Sequence, residues 1–207
     1  MRASPPLVAS ALALTAVLGG CGGSAMTPPA GGLTLHVALA TAPTGSDVAI
    51  ASVAVHLSSL RAVSDRSAVD ARAAASDVDL MLGDDVDLAL PSAPPGLYSA
   101  VDAQLGSAAD TGLEVQAVWH MARVHAAITT ASFDASCAGP VALEPGHRAR
   151  LDLQIDPASW FSGLDLGAAV TDPDDQGIVI SADDNAPMAE ALLANVRASF
   201  TLDCAPQ

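Results

Sequence analysis

The sequence predicts an all-β protein, an antiparallel β-sandwich with one or two short helices, following an N-terminal signal peptide. Three observations predict it. Apolar residues recur at every second position in run after run beyond residue 32, the period of a strand with one buried face. The runs are short and separated by Gly, Pro, Asp and Ser, as in domains that stack many short strands into two sheets. Helical patterning is confined to two pieces, both late in the chain.

The N-terminal segment is set apart from the fold. Arg2 is followed by Leu7 to Leu18 with hardly a polar side chain, the layout of a secretory signal and too short to span a bilayer. The run closes on Leu18-Gly19-Gly20-Cys21, which resembles the lipobox of bacterial lipoproteins. That resemblance implies that the Cys21 thiol receives a diacylglyceryl group, that a peptidase cuts before it, and that the new amino group is acylated. Residues 1–20 are then a lipoprotein signal peptide. Residues 21–32, rich in Gly, Ser and Pro, form a lipidated flexible tether, and 33–207 form the sandwich domain. A plain secretory signal and a core helix opening the domain are the alternative readings.

The domain is long enough for a sizeable single core. The charge of the whole chain is one-sided: lysine is absent, eight arginines face 23 acidic residues, and the formal net charge is -15. Such a surface repels phosphate backbones and anionic head groups, which argues against nucleic acid and against a polybasic membrane patch. Cations or neutral polymers suit it better. Apart from Cys21 the cysteines are Cys137 and Cys204, an even pair that in an oxidising compartment predicts one disulfide. Two free thiols or a metal pair are the alternatives, and neither cysteine has a histidine at ligand spacing.

Strand by strand, Leu33, Leu35, Val37 and Leu39 alternate with smaller or polar residues. Val48 and Ile50 begin a second run that continues through Val53, Val55 and Leu57 after a phase slip, which predicts a bulge. Residues 61–76 are alanine-rich and polar and read as a surface loop. Further strands are expected at 78–82, 86–90, 97–105, 113–121, 124–128, 149–155 and 196–202. Between the last two, Asp156 caps a single turn with Pro157 in first position, presenting Trp160 and Phe161 to the core. An exposed aromatic platform for a sugar is the competing role for that pair. Pro187 to Ala194 forms a second helical piece with Met188, Ala189 and Leu192 on one face.

"LPSAPPGLYSAVDAQL" (Leu90 to Leu105) resembles the proline-glycine turn and following strand of prealbumin-like and carbohydrate-binding-like sandwiches, an immunoglobulin-like architecture. The opening "GGLTLHVALATAPTGSDVAIASVAVHLSSL" and the later "LEPGHRARLDLQIDPASWF" and "NVRASF" are similar to a group of bacterial lipoprotein domains of unknown function with this fold. The resemblance implies an envelope-anchored binding or structural module, held in the outer membrane by its lipid, with a glycan or an envelope protein as partner. It supplies no catalytic residues, and fold likeness alone does not give function.

Motifs for chemistry are few. The sequence contains no Gly-x-Ser-x-Gly elbow, phosphate-binding glycine loop or His-Glu-x-x-His helix, so a non-catalytic role is expected. A small envelope hydrolase with scattered carboxylates and a calcium-dependent adhesion module are the rivals. For calcium, "DPDDQGIVISAD" places Asp172, Asp174, Gln176, Gly177 and Asp183 at positions one, three, five, six and twelve of a cation loop. Gln176 stands where Asp or Asn is usual, Asp183 is shorter than the customary Glu, and a solvated acidic turn explains the same residues. A reversal at Ala122-Arg123 would set His120 and His125 face to face for a metal, although that dipeptide lacks hairpin-turn chemistry. A flat sheet face bearing Tyr98, Asp102 and Gln104 would favour binding, whereas a buried carboxylate pair in a cleft would favour hydrolysis.

Overall fold

The computed structural model describes residues 32–64, 71–72, 77–107, 110–172 and 177–204. The expected signal peptide, the expected lipidation site Cys21 and all but Gly32 of the expected tether lie outside these residues, as do Asp174 and Gln176. In chain order the described strands are β1 (Gly32–Leu39), β2 (Val48–Ser64), β3 (Ala71–Arg72), β4 (Val78–Met81), β5 (Asp85–Leu90) and β6 (Gly96–Leu105). They continue with β7 (Leu113–Trp119), β8 (Ala122–Ile128), β9 (Ala131–Leu143), β10 (Arg148–Ile155), β11 (Ile178–Ile180) and β12 (Phe200–Asp203). One α-helix, α1 (Ala186–Ala198), precedes β12.

The strands form two sheets that share one hydrophobic core. The smaller runs β12-β10-β1-β5 and the larger β11-β8-β7-β2-β6-β9. Strand β1 shows how the two-residue period builds the interior: Leu33, Leu35, Val37 and Leu39 are buried and the residues between them are half-exposed. The core is one cluster fed by both sheets, by Trp160 and Leu166 from the segment after β10, and by Leu192 and Val196 of α1.

The long strand β2 is the spine of the larger sheet. Leu57 faces both Leu105 of β6 and Val78 of β4, while Val55 faces both Leu113 of β7 and Leu80 of β4. Strands β6 and β7 therefore lie end to end along one edge of β2, with β3 and β4 on the other. The handover from β6 to β7 is clamped on one residue. Gly106 donates its N–H to the His56 carbonyl at 2.9 Å, and the His56 N–H is accepted by the Gly112 carbonyl at 2.8 Å. The phase slip read in the sequence is present as a register shift between Ile50 and Ser52.

The architecture differs from the expectation in several places. The sandwich is not wholly antiparallel: β1 pairs β10 in parallel, and β11 pairs β8 in parallel. Parallel neighbours need a long crossover, and for β1 and β10 most of the larger sheet lies between them in the chain. Residues 61–64 continue β2 because Ala62 and Ser64 keep the inward phase of Leu60, and Ala71–Arg72 pairs back on them. Val196 belongs to α1, where it lies one turn beyond Leu192 on the buried face; only Phe200–Asp203 of that run is strand. Strand β9 was absent from the expected set.

The expected single turn is a 3₁₀ turn, Pro157–Ser159, capped by Asp156, whose side chain accepts from the Ala158 N–H. The disulfide joins Cys137 of β9 to Cys204 just after β12, with Cα atoms 5.9 Å apart. Phe133 of β9 and Phe200 of β12 stack nearby at 3.7 Å between centroids. Together these tie one edge of the larger sheet to one edge of the smaller.

Candidate functional site

The chain has six aromatic residues in all, and their placement locates the candidate site. Trp160 and Tyr98 are 0 % exposed, and Phe133 and Phe200 are also buried. The two rings left half-exposed, Trp119 and Phe161, come from separate parts of the chain and line one cleft of about 380 Å³. Val48, Ile50, Leu164 and Leu166 supply further apolar wall, and Ser46, Asp47 and Ser162 add polar groups.

Each ring is held by identifiable contacts. Trp119 ends β7 opposite Val48, in the same phase as the buried Leu113, Val115 and Ala117 but beyond the last core layer. His120 sets its ring edge against the indole at 4.8 Å between centroids and 64°. A Cβ on Gly167 would meet Trp119 Cη2 at 3.6 Å, so that glycine lies near the rim of the indole. Phe161 follows Trp160, whose indole N–H donates to Ser199 Oγ at 2.8 Å. The Asn195 amide donates to the carbonyls of Trp160 and Ser162, both at 2.9 Å, fixing the Phe161 turn to α1. Among the lining residues, Asp47 carries the one charge.

A second surface crosses the outer side of β2, β6 and β9. Ser59, Gln104 and Ser132 form one cross-strand row, and Arg61, Asp102 and Asp134 the next. They surround a shallow depression of about 430 Å³, and Arg61 is ion-paired with Asp102. Asp102 and Gln104 therefore do share an outer face. Tyr98 does not join them: a register shift between Tyr98 and Ala100 turns its ring inward, and its hydroxyl donates to the Pro94 carbonyl at 2.7 Å.

Histidine chemistry is taken up by acidic neighbours. His36 Nδ1 lies 2.9 Å from Asp87, His56 Nδ1 2.7 Å from Asp79, and His125 Nε2 3.1 Å from Glu114. Beside His36, Arg150 bonds Asp152 at 2.6 Å and approaches Asp87 at 3.5 Å. The hydrogen bond to Asp152 is the main cause that raises the Arg150 pKa above its ordinary value. His120 and His125 are not face to face. The chain reverses at His120-Met121, both with positive φ, as a two-residue hairpin turn requires, and His125 pairs with Gln116.

Of the expected calcium ligands, Asp172 and Asp183 are described. Asp172 donates its N–H to the Gly177 carbonyl at 2.8 Å, closing a turn, whereas Asp183 lies in the bend after β11, its N–H on Ser181 Oγ. Strand β11 lies between them in the chain. Among the described residues no group of three or more His, Cys, Asp or Glu is arranged to hold a metal ion. If the acidic loop binds calcium, replacing Asp172 and Asp174 together is expected to abolish a calcium-dependent rise in melting temperature. Such a rise would be about 1 kcal/mol at a few millimolar calcium, for a site of roughly millimolar affinity. Calorimetry in calcium against chelator checks this, and coincident traces in the wild-type protein would contradict calcium binding.

Among the described residues the buried polar side chains are Ser64 and Ser199, and none is a carboxylate. No helix of the described residues is long and apolar enough to cross a membrane. No family model, no curated protein and no solved structure matches the chain.

Proposed function

We propose that this chain is a lipoprotein of the outer cell envelope whose β-sandwich binds a ligand without catalysing a reaction, using the Trp119–Phe161 cleft. The observation that carries binding is the convergence of the two half-exposed aromatic rings on one cleft. Aromatic rings bury a large apolar area in a contact, and here these are the two rings that the core leaves partly open. Export is supported by the Leu18 to Cys21 motif and by the Cys137–Cys204 disulfide, a bond that persists in oxidising compartments. The absence of a buried carboxylate among the described residues gives the hydrolase reading no support.

Two measurements test the proposal. Cys21→Ser is expected to lose its lipid mass and move from the membrane to the soluble fraction, because acyl chains contribute about 0.8 kcal/mol per buried methylene to anchoring. Continued membrane fractionation with the lipid mass retained would contradict this. For binding, Trp119 reports directly: its fluorescence is open to acrylamide, whereas Trp160 is buried. Envelope extract is expected to shield wild-type protein from acrylamide and to leave the quenching of Trp119→Phe unchanged. An extract with no effect on either protein would overturn the binding role.

A further inference from the structure

We propose that the Trp119–Phe161 cleft takes an uncharged saccharide ring, making a neutral glycan the ligand; the proposal rests on the binding role assigned to that cleft above. Charge narrows the ligand first. The chain carries a net charge of -15, and Asp47 is the charged lining group, so a phosphorylated or carboxylated ligand would meet repulsion with no cation in the cleft to offset it.

The mixture of surfaces narrows it further. A saccharide ring is amphipathic: its C–H faces pack on aromatic rings, and its hydroxyl edge needs donors and acceptors. The cleft offers both kinds of group. Trp119 and Phe161 provide aromatic rings, while Asp47, Ser162 and Ser46, whose hydroxyl donates to the Val48 carbonyl, line the same cleft. A purely apolar ligand such as an acyl chain would cover the Asp47 carboxylate without giving it a partner, at a cost in affinity. The volume of about 380 Å³ falls within the roughly 300–1,000 Å³ of small-ligand sites.

The aromatic walls are also pre-set. The His120 ring packs against the indole, and Asn195 fixes the turn that carries Phe161. Little ordering is then needed when a ring enters, which favours weak ligands that a mobile site would lose.

The test uses full-length protein in detergent micelles, titrated with neutral oligomers of glucose and of N-acetylglucosamine while acrylamide quenching of Trp119 is followed. Saturable shielding by at least one oligomer is expected, with half-saturation at roughly 0.1–1 mM, the range of weak single-site binding. Phe161→Ala and Asp47→Ala are each expected to weaken it about tenfold. Asp47 is exposed, so that variant keeps the test valid if Phe161→Ala fails to fold. Shielding by no neutral oligomer, where envelope extract does shield, overturns the saccharide assignment and leaves the binding role standing. Oligomer binding undiminished in folded variants at both positions places the sugar elsewhere and overturns the assignment to this cleft.

Discussion

Gly106→Ala is expected to destabilise the fold by roughly 3–5 kcal/mol, a large share of the roughly 5–15 kcal/mol that holds a typical domain together. Gly106 has φ +64°, and a Cβ there would sit 1.9 Å from the Thr129 carbonyl oxygen and 2.8 Å from that of Asp110. Both obstacles are backbone, so no side-chain rotation relieves them. The same residue donates to the His56 carbonyl, and moving it aside would open the clamp where β6 hands over to β7. Gly112→Ala meets the Gly106 nitrogen at 2.5 Å and is expected to behave alike. Gly139, whose Cβ would find nothing within 4 Å, is the control, with a change of about 0.5 kcal/mol or less. Denaturant midpoints of the three variants decide; a Gly106→Ala protein as stable as the Gly139 control would refute the clamp.

Removing the disulfide with Cys137→Ser and Cys204→Ser together is expected to cost about 4 kcal/mol. The two cysteines are 67 residues apart in sequence, and closing a loop of that length restricts the unfolded chain by about this amount in the chain-entropy account. The loss should appear as a lower denaturant midpoint, reproduced by reducing the wild-type protein. Non-reducing peptide maps are expected to recover the two cysteines in one fragment. Two alkylatable thiols in the native, unreduced protein would contradict the bond.

The strands of the sandwich were legible wherever large apolar residues alternate, as in β1, β6 and β10. The bulge in β2 was legible for the same reason, since a slipped phase marks an extra residue. Strand β9 was not, although Ala131, Phe133 and Ala135 alternate inward with Ser132, Asp134 and Ser136 outward. Alanine carries little pattern, and Gly139 with Pro140 reads as a break. Proline is tolerated there because β9 ends the larger sheet, where one row of N–H groups has no strand partner. Val196 to Leu202 misled in the opposite way, because Val196, Phe200 and Leu202 fit a period of two while Leu192 and Val196 fit a helical turn. The parallel pairing of β1 with β10 leaves no trace in either period.

Half of the candidate site was visible in advance. Phe161 stood out beside Trp160, yet adjacent residues point apart, and only Trp160 enters the core. Trp119 was passed over because its inward phase matches that of Leu113, Val115 and Ala117. Whether an inward residue is covered depends on where the opposite layer stops, which no local pattern records.

The parallel ladder of β1 has a mechanical consequence. Tension applied upstream of Gly32 enters the domain along β1, which is hydrogen-bonded on both sides, to β10 over Gly32–Leu39 and to β5 over Leu33–Ala38. A strand at the rim of a sheet, pulled sideways, peels away one bond at a time. Strand β1 is pulled lengthwise between two neighbours, and its rungs share the load and must yield together. A protein drawn by its leading end in shear flow, or by a partner gripping its far side, would meet that resistance at the first strand of the fold.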